Sequence, residues 1–300
     1  MHSFLASPSA TIETLQRHGL HTKKALGQHF LVDDHVVGKI LELAGVHAGD
    51  TILEVGPGAG TLTVALLGAG AEVIAVERDR DLIPVLAETT ALAQGDDGAN
   101  RFSLLEMDAL QLDAGMLAEA AANLPSGELP MKFVANLPYA VAATLVLDFF
   151  QKLDFLESAT VMVQAEVADR MRAVQGTKDY GAYSVKIALL CETTGSFPVK
   201  PGSFLPPPRV DSTVIRLDRR EGGGAAAGDR GLLLEACRMA DAAFFQRRKT
   251  IRNSMQAFFA QNGDDPKRVD ALLEAAGIDP RSRGEQHAPE VFIELARASI

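Results

Sequence analysis

The chain has 300 residues, 47% of them apolar and 23% charged, an ordinary globular composition that excludes a disordered chain. Its net charge of −10 argues against a nucleic-acid partner only until it is divided, because residues 1–217 carry 16 Lys/Arg and 26 Asp/Glu whereas residues 218–300 carry 13 of each. Two cysteines, Cys191 and Cys237, without metal-type spacing exclude a disulfide framework or a cysteine–zinc site and fit a reducing, cytoplasmic setting; no metal is expected.

Residues 1–22 have weak apolar periodicity and read as an arm with a short helix; Met1-His2-Ser3 lacks the basic-then-apolar start of a secretory signal. A basic segment ends in Gly27-Gln28-His29-Phe30-Leu31, and Asp33 or Asp34 caps a helix running to about Ala44. Strands are expected at Thr51–Val55, Glu72–Val76, Phe102–Leu105, Met131–Ala135, Ala159–Val163 and Val210–Leu217. Helices fall at Thr61–Leu67, from Asp79 or Arg80 to Ala93, and at Asp113–Asn123, Val141–Gln151, Glu166–Ala173 and 181–191. Strands alternating with helices of this length imply a parallel sheet with right-handed crossovers. The stretch 133–147 is uncharged over 15 residues, but Asn136 and Pro138 interrupt it and it is too short for a membrane span. Residues 219–231 form a Gly-rich linker, and helical patterns follow at 232–243, 250–259, 266–276 and 289–298. The expected plan is an α/β domain at 23–218 and a small all-helical domain at 232–300.

Glu54-Val55-Gly56-Pro57-Gly58-Ala59-Gly60 follows a strand and opens a helix, so Gly56 and Gly58 allow a ligand to approach the backbone. Glu77 ends the next strand and can accept from two ribose hydroxyls; Asp108, after the third, can accept from an adenine amino group. The spacing is G-x-G-x-G, Pro57 removes one N–H, and Glu54 stands where a pyrophosphate would approach. These features favour S-adenosylmethionine over a dinucleotide. Asn136-Leu137-Pro138-Tyr139 follows the fourth strand. An exocyclic base amine is a poor nucleophile; the Asn136 side-chain carbonyl and the Leu137 backbone carbonyl can accept both of its N–H bonds, and Tyr139 can stack on the base. Phe204, in the proline-rich loop 204–212, can stack on an extruded base or fill the core.

These pieces resemble the KsgA family, the small-subunit rRNA adenine N6,N6-dimethyltransferases. The resemblance rests on the segments just quoted, on Gln164 to Arg170, on Tyr180-Gly181, and on Phe244-Phe245-Gln246-Arg247-Arg248-Lys249-Thr250-Ile251-Arg252-Asn253. It implies a Rossmann-like methyltransferase sheet with a small helical C-terminal domain. It also implies that His29, Leu31, Gly56, Glu77, Asp108 and Asn136 line the S-adenosylmethionine pocket. The implied substrate is a pair of adjacent adenosines near the 3′ end of 16S rRNA in the small ribosomal subunit, methylated as a late step or checkpoint of 30S biogenesis; a monomer is the default expectation. Arg247, Arg248, Lys249 and Arg252 are expected to hold phosphates, with Lys23 and Lys24 assisting; the bland reading of the run is a solvated helix start. Two departures stand out: the family usually has asparagine at His29, and Ala140-Val141-Ala142 replaces polar residues. The alternatives are a large-subunit rRNA adenine methyltransferase, an assembly factor that no longer methylates, and a nicotinamide oxidoreductase, which the tetrapeptide and glycine spacing disfavour.

Overall fold

The computed structural model describes residues 1–20, 29–94, 100–220 and 229–300. Lys23, Lys24, Gly27, Gln28 and the centre of the Gly-rich linker lie outside them. The chain clusters into two compact units: Met1–Ala165 with Thr193–Asp218, and Glu166–Glu192 with Arg219–Ile300.

In the first unit, helix α1 (Pro8–Arg17) is capped by the Ser7 hydroxyl and places Leu15 in a cluster with Phe30, Ala59, Leu82 and Val85. The expected arm is therefore packed against its own unit by apolar burial. Strand β1 (Phe30–Leu31) precedes α2 (Asp34–Ala44), whose first N–H groups are accepted by the Asp33 carboxylate. The alternation then runs β2 (Thr51–Val55), α3 (Thr61–Gly68), β3 (Glu72–Glu77), α4 (Ile83–Gln94), β4 (Phe102–Glu106), α5 (Ala114–Ala121), β5 (Lys132–Asn136), α6 (Ala142–Lys152) and β6 (Ser158–Gln164). Both β2 and β3 are buried along their whole length, which is why they read as continuous apolar runs. After α7 (Ala165–Met171) and α8 (Ala182–Leu190) come β7 (Cys191–Val199), the two-residue β8 (Phe204–Leu205) and β9 (Ser212–Arg219).

Seven strands form one sheet in the order β4-β3-β2-β5-β6-β9-β7, and β1 pairs with β8 separately. The pairs among β2 to β6 are parallel, as expected. β9 corrects the all-parallel expectation: it runs antiparallel to β6, with Ser158 opposite Asp218 and Gln164 opposite Ser212. A strand buried on both faces reads the same in either direction, so its own residues do not carry its orientation. β7 was not expected at all. It lies at the sheet edge, holds Gly195 and Pro198, and is largely exposed between its ends, so neither alternation nor an apolar run marks it.

The second unit contains α7 and α8 together with α9 (Arg230–Phe244), α10 (Ile251–Asn262), α11 (Arg268–Ala275) and α12 (Pro289–Ser299). Helices α8, α10 and α12 all pack on α9, and Lys186 of α8 pairs with Asp241 of α9 at 2.7 Å. This corrects the expected boundaries. Residues 166–192 cluster with the C-terminal helices, because α8 buries its apolar side there. Arg219 still belongs to β9, and Arg230 already opens α9.

Candidate functional site

A cavity of about 410 Å³ opens where β2, β3 and β5 end, lined by the turns that follow those strands and by His29, Phe30 and Leu31. Gly56 and Gly58 hold left-handed backbone at φ 68° and 63°. A Cβ on Gly56 would sit 3.2 Å from Pro138 Cδ, and one on Gly58 would sit 3.3 Å from the Phe30 ring. The glycine turn thus lies directly against the Asn136–Tyr139 turn, a contact that a side chain would push apart.

Glu77 ends β3 with its carboxylate held by backbone. Oε1 accepts from the N–H groups of Arg78 and Asp79 at 2.8 Å each, and Oε2 accepts from Gly58 N–H at 3.3 Å. Burial pushes its carboxyl up, while those three N–H groups pull it back. Glu54, expected where a pyrophosphate would approach, borders the cavity while 1% exposed, and its Oε2 accepts from the Thr63 hydroxyl at 2.7 Å. Burial lifts its pKa to about 8 against the Thr63 bond, with the Glu77 charge adding to the rise. Burial thus favours the protonated form of Glu54, while Glu77 and Asp108 present carboxylates to the same cavity.

Asp108 accepts from Leu110 N–H at 3.1 Å through Oδ1 and meets Arg78 Nη1 at 3.2 Å through Oδ2. The Leu110 N–H first, and Arg78 after it, hold its carboxyl below the usual range. Sequence spacing did not single out Arg78, Thr63 or Ser212 as partners. Arg78 and Ser212 meet partners 30 and 73 residues away, and Thr63 reaches Glu54 from α3, contacts that no local period marks.

The Asn136 tetrapeptide is fixed at several points. Leu137 N–H donates to the Met162 carbonyl at 3.1 Å, and the Pro138 carbonyl accepts from Val141 and Ala142 as α6 begins. Asn136 Nδ2 donates to the His29 backbone carbonyl at 3.2 Å, which leaves Oδ1 as the acceptor of that side chain. The His29 ring stacks against Tyr139 with centroids 5.7 Å apart at 28°. His29 Nδ1 lies 2.7 Å from the Pro206 carbonyl, and since a carbonyl only accepts, Nδ1 carries the proton. The Tyr139 hydroxyl meets Ser212 Oγ at 2.6 Å; burial raises the phenol and this bond opposes the rise. Leu31 borders the cavity but is 3% exposed and joins the main core.

Phe204 corrects the base-stacking expectation. It pairs opposite Leu31 in the β1–β8 ladder, is 2% exposed, and packs in the core with Leu31 and Val36. It does not line the cavity, so the apolar alternative describes it.

The basic run occupies the turn between α9 and α10 and the first turn of α10, which Thr250 caps. Two of its four cations are engaged within their own unit. Arg247 donates to the Lys178 and Tyr180 carbonyls and pairs with Glu285 at 3.6 Å. Arg252 forms a two-point pair with Asp270 at 2.5 and 2.7 Å. Both therefore depart from the expectation of four cations open to phosphate. Arg248 and Lys249 are exposed and have no ion-pair partner among the described residues. No helix among the described residues is long and apolar enough to cross a membrane.

The ribosomal RNA adenine dimethylase model matches residues 19–293. A ribosomal RNA small subunit methyltransferase A from Rhodospirillum rubrum is 43% identical over 287 residues, covering 95% of this chain and 91% of its own. The crystal structure of a dimethyladenosine transferase from Plasmodium falciparum superposes with a TM-score of 0.69 at 24% identity, over 89% of this chain and 96% of that one, a likeness of fold. The 23S rRNA methyltransferase ErmE superposes with a TM-score of 0.58 at 25% identity, over 90% and 98%. With its family model matched along nearly all of its length and its sheet, glycine turn and Asn136 turn in one site, the chain belongs to the ribosomal RNA adenine dimethylase family.

Proposed function

We propose that this chain transfers methyl groups from S-adenosylmethionine to N6 of two adjacent adenosines near the 3′ end of small-subunit rRNA, giving N6,N6-dimethyladenosine. The setting proposed with that substrate is the cytoplasm. The observation that carries the reading is the Asn136 amide: one N–H of its nitrogen donates to the His29 carbonyl, which orients the side chain, and its oxygen is the atom of that amide able to accept from a base amine.

The cavity fits the cofactor. Glu77 would accept from ribose hydroxyls, Gly56 and Gly58 would give close backbone approach, and Asp108 would accept from the adenine amino group, with His29 and Leu31 bordering the same space. When bound, S-adenosylmethionine supplies an electrophilic methyl group on a sulfonium. The protein's own task is to make the amine a better nucleophile. In the first addition Asn136 Oδ1 and the Leu137 carbonyl accept its two N–H bonds, and in the second one of them accepts the N–H that remains, so that the lone pair turns out of conjugation with the ring; Tyr139 stacks on the base. These acceptors are held before the substrate arrives, by His29, Met162 and the start of α6. No side chain has to remove the proton, because the nitrogen becomes acidic once its lone pair forms the new bond. The small-subunit substrate is favoured over a large-subunit one by the 43% identity to a small-subunit methyltransferase against 25% to ErmE.

The test is tritiated methyl transfer to small subunits lacking the modification, with large subunits alongside, and mass spectrometry of the digested RNA. Dimethyladenosine at adjacent 3′-end positions supports the reading. Label in large-subunit RNA alone, or tight binding without transfer, overturns it.

A further inference from the structure

Phe244 and Phe245 are neighbours in sequence with opposite environments. The Phe244 ring packs inward against Tyr180 and Phe292, with centroids 6.0 and 6.2 Å away. Phe245 is 41% exposed and stands beside the basic run. It is not loose. It makes an edge contact with Phe258 at 5.7 Å and 74°, and Phe258 in turn leans on the buried Phe259. The turn that carries it is pinned as well. Gln246 N–H donates to Ser254 Oγ at 2.9 Å, Ser254 Oγ donates to the Ala242 carbonyl, and Lys249 N–H closes on the Gln246 carbonyl at 2.8 Å. Arg248 and Lys249, the cations of the run without ion-pair partners among the described residues, follow within four positions.

We propose that Phe245 is a stacking platform for an unpaired RNA base, with Arg248 and Lys249 holding the flanking phosphates. This rests on the rRNA substrate proposed above and deepens it by naming the contact. The chemistry is that of single-strand recognition: a rigid aromatic face takes any base, and adjacent cations follow the backbone. The two kinds of residue then separate by salt. Cations set the slope of affinity against salt, and a stacking ring adds affinity at every salt concentration. Arg247 and Arg252 stand outside the contact, since carbonyls and carboxylates of their own unit already engage them.

The experiment uses the full chain and two probes: small ribosomal subunits lacking the modification, and a single-stranded oligoribonucleotide carrying one 2-aminopurine. Phe245→Leu keeps an apolar contact for Phe258 and removes the ring; Phe245→Tyr keeps the ring. The expected result is an affinity loss of about tenfold for Phe245→Leu with an unchanged salt slope, recovery in Phe245→Tyr, and 2-aminopurine quenching that follows the ring. Unchanged thermal melting of both variants separates this from a folding defect. Wild-type affinity and quenching in Phe245→Leu overturn the proposal. Methyl transfer by the wild type is measured on the same subunits. Ring-dependent quenching without transfer keeps the platform and removes the enzymatic reading; transfer with ring-independent binding does the reverse.

Discussion

Asn136 Nδ2 donates to the His29 backbone carbonyl at 3.2 Å, and this bond orients the amide whose Oδ1 can accept from a substrate. Asn136→Ala removes the acceptor without touching the basic surface. We expect methyl transfer to fall at least about a hundredfold, an effect of the size seen when a preorganised polar group is lost, with subunit binding unchanged. Transfer and binding measured on the same subunits check this, and near-normal turnover would remove Asn136 from the chemistry.

Gly56→Ala meets two penalties, a left-handed φ of 68° and a Cβ at 3.2 Å from Pro138 Cδ. We expect a loss of roughly 1–3 kcal/mol in stability. Binding of S-adenosylhomocysteine should weaken with it, because the glycine turn and the Asn136 turn must move apart. Denaturant melts and calorimetric titration check the two effects separately.

Glu54 gives a pH prediction. Its pKa is raised in the fold to about 8, so the folded state holds a proton that the unfolded chain releases at lower pH. The stability it contributes is complete below the ordinary carboxyl range and is lost as pH rises through about 8. Glu54→Gln keeps an acceptor for the Thr63 hydroxyl and carries no titrating proton. We expect it to flatten the stability profile between acid and pH 8, and to be the more stable protein above that pH. Melts across the pH range test this, and parallel profiles for the two proteins would contradict it.

Arg248 and Arg252 look alike in the sequence and should behave differently. Arg248→Glu is expected to weaken subunit binding and reduce its salt slope. Arg252→Ala breaks an exposed pair with Asp270 and should leave the slope unchanged with little effect on melting. Equal slopes in the two variants would return the whole run to a solvated role.

Tyr139→Phe keeps the ring beside His29 and loses the 2.6 Å bond to Ser212. Transfer should fall only a few-fold. Tyr139→Leu, which also loses the stacking face, should fall much further. Initial rates at saturating subunit distinguish the two.

Much of this protein is written locally. The strand-turn-helix units, the capping by Asp33, the glycine turn and the order Glu77, Asp108, Asn136 at successive strand ends follow from short-range periodicity and turn chemistry, and the structure places all three residues around one cavity. What the sequence could not show depends on partners distant along the chain. The 15-residue window around Arg247 contains one acid, Asp241, and so reads as open positive charge. The fold brings Glu285 and Asp270 to two of those cations, while Arg238 in the same window pairs with Asp264. Phe204 reads equally well as a base-stacking ring or a core ring until β8 pairs with β1 and turns it inward. β9 has no residue that states its direction, and the apolar side of α8 does not say which helices will cover it. Periodicity reports which residues seek burial or a turn; the identity of the covering group is a tertiary fact, because contact and charge pairing depend on distance in space, not on separation along the chain.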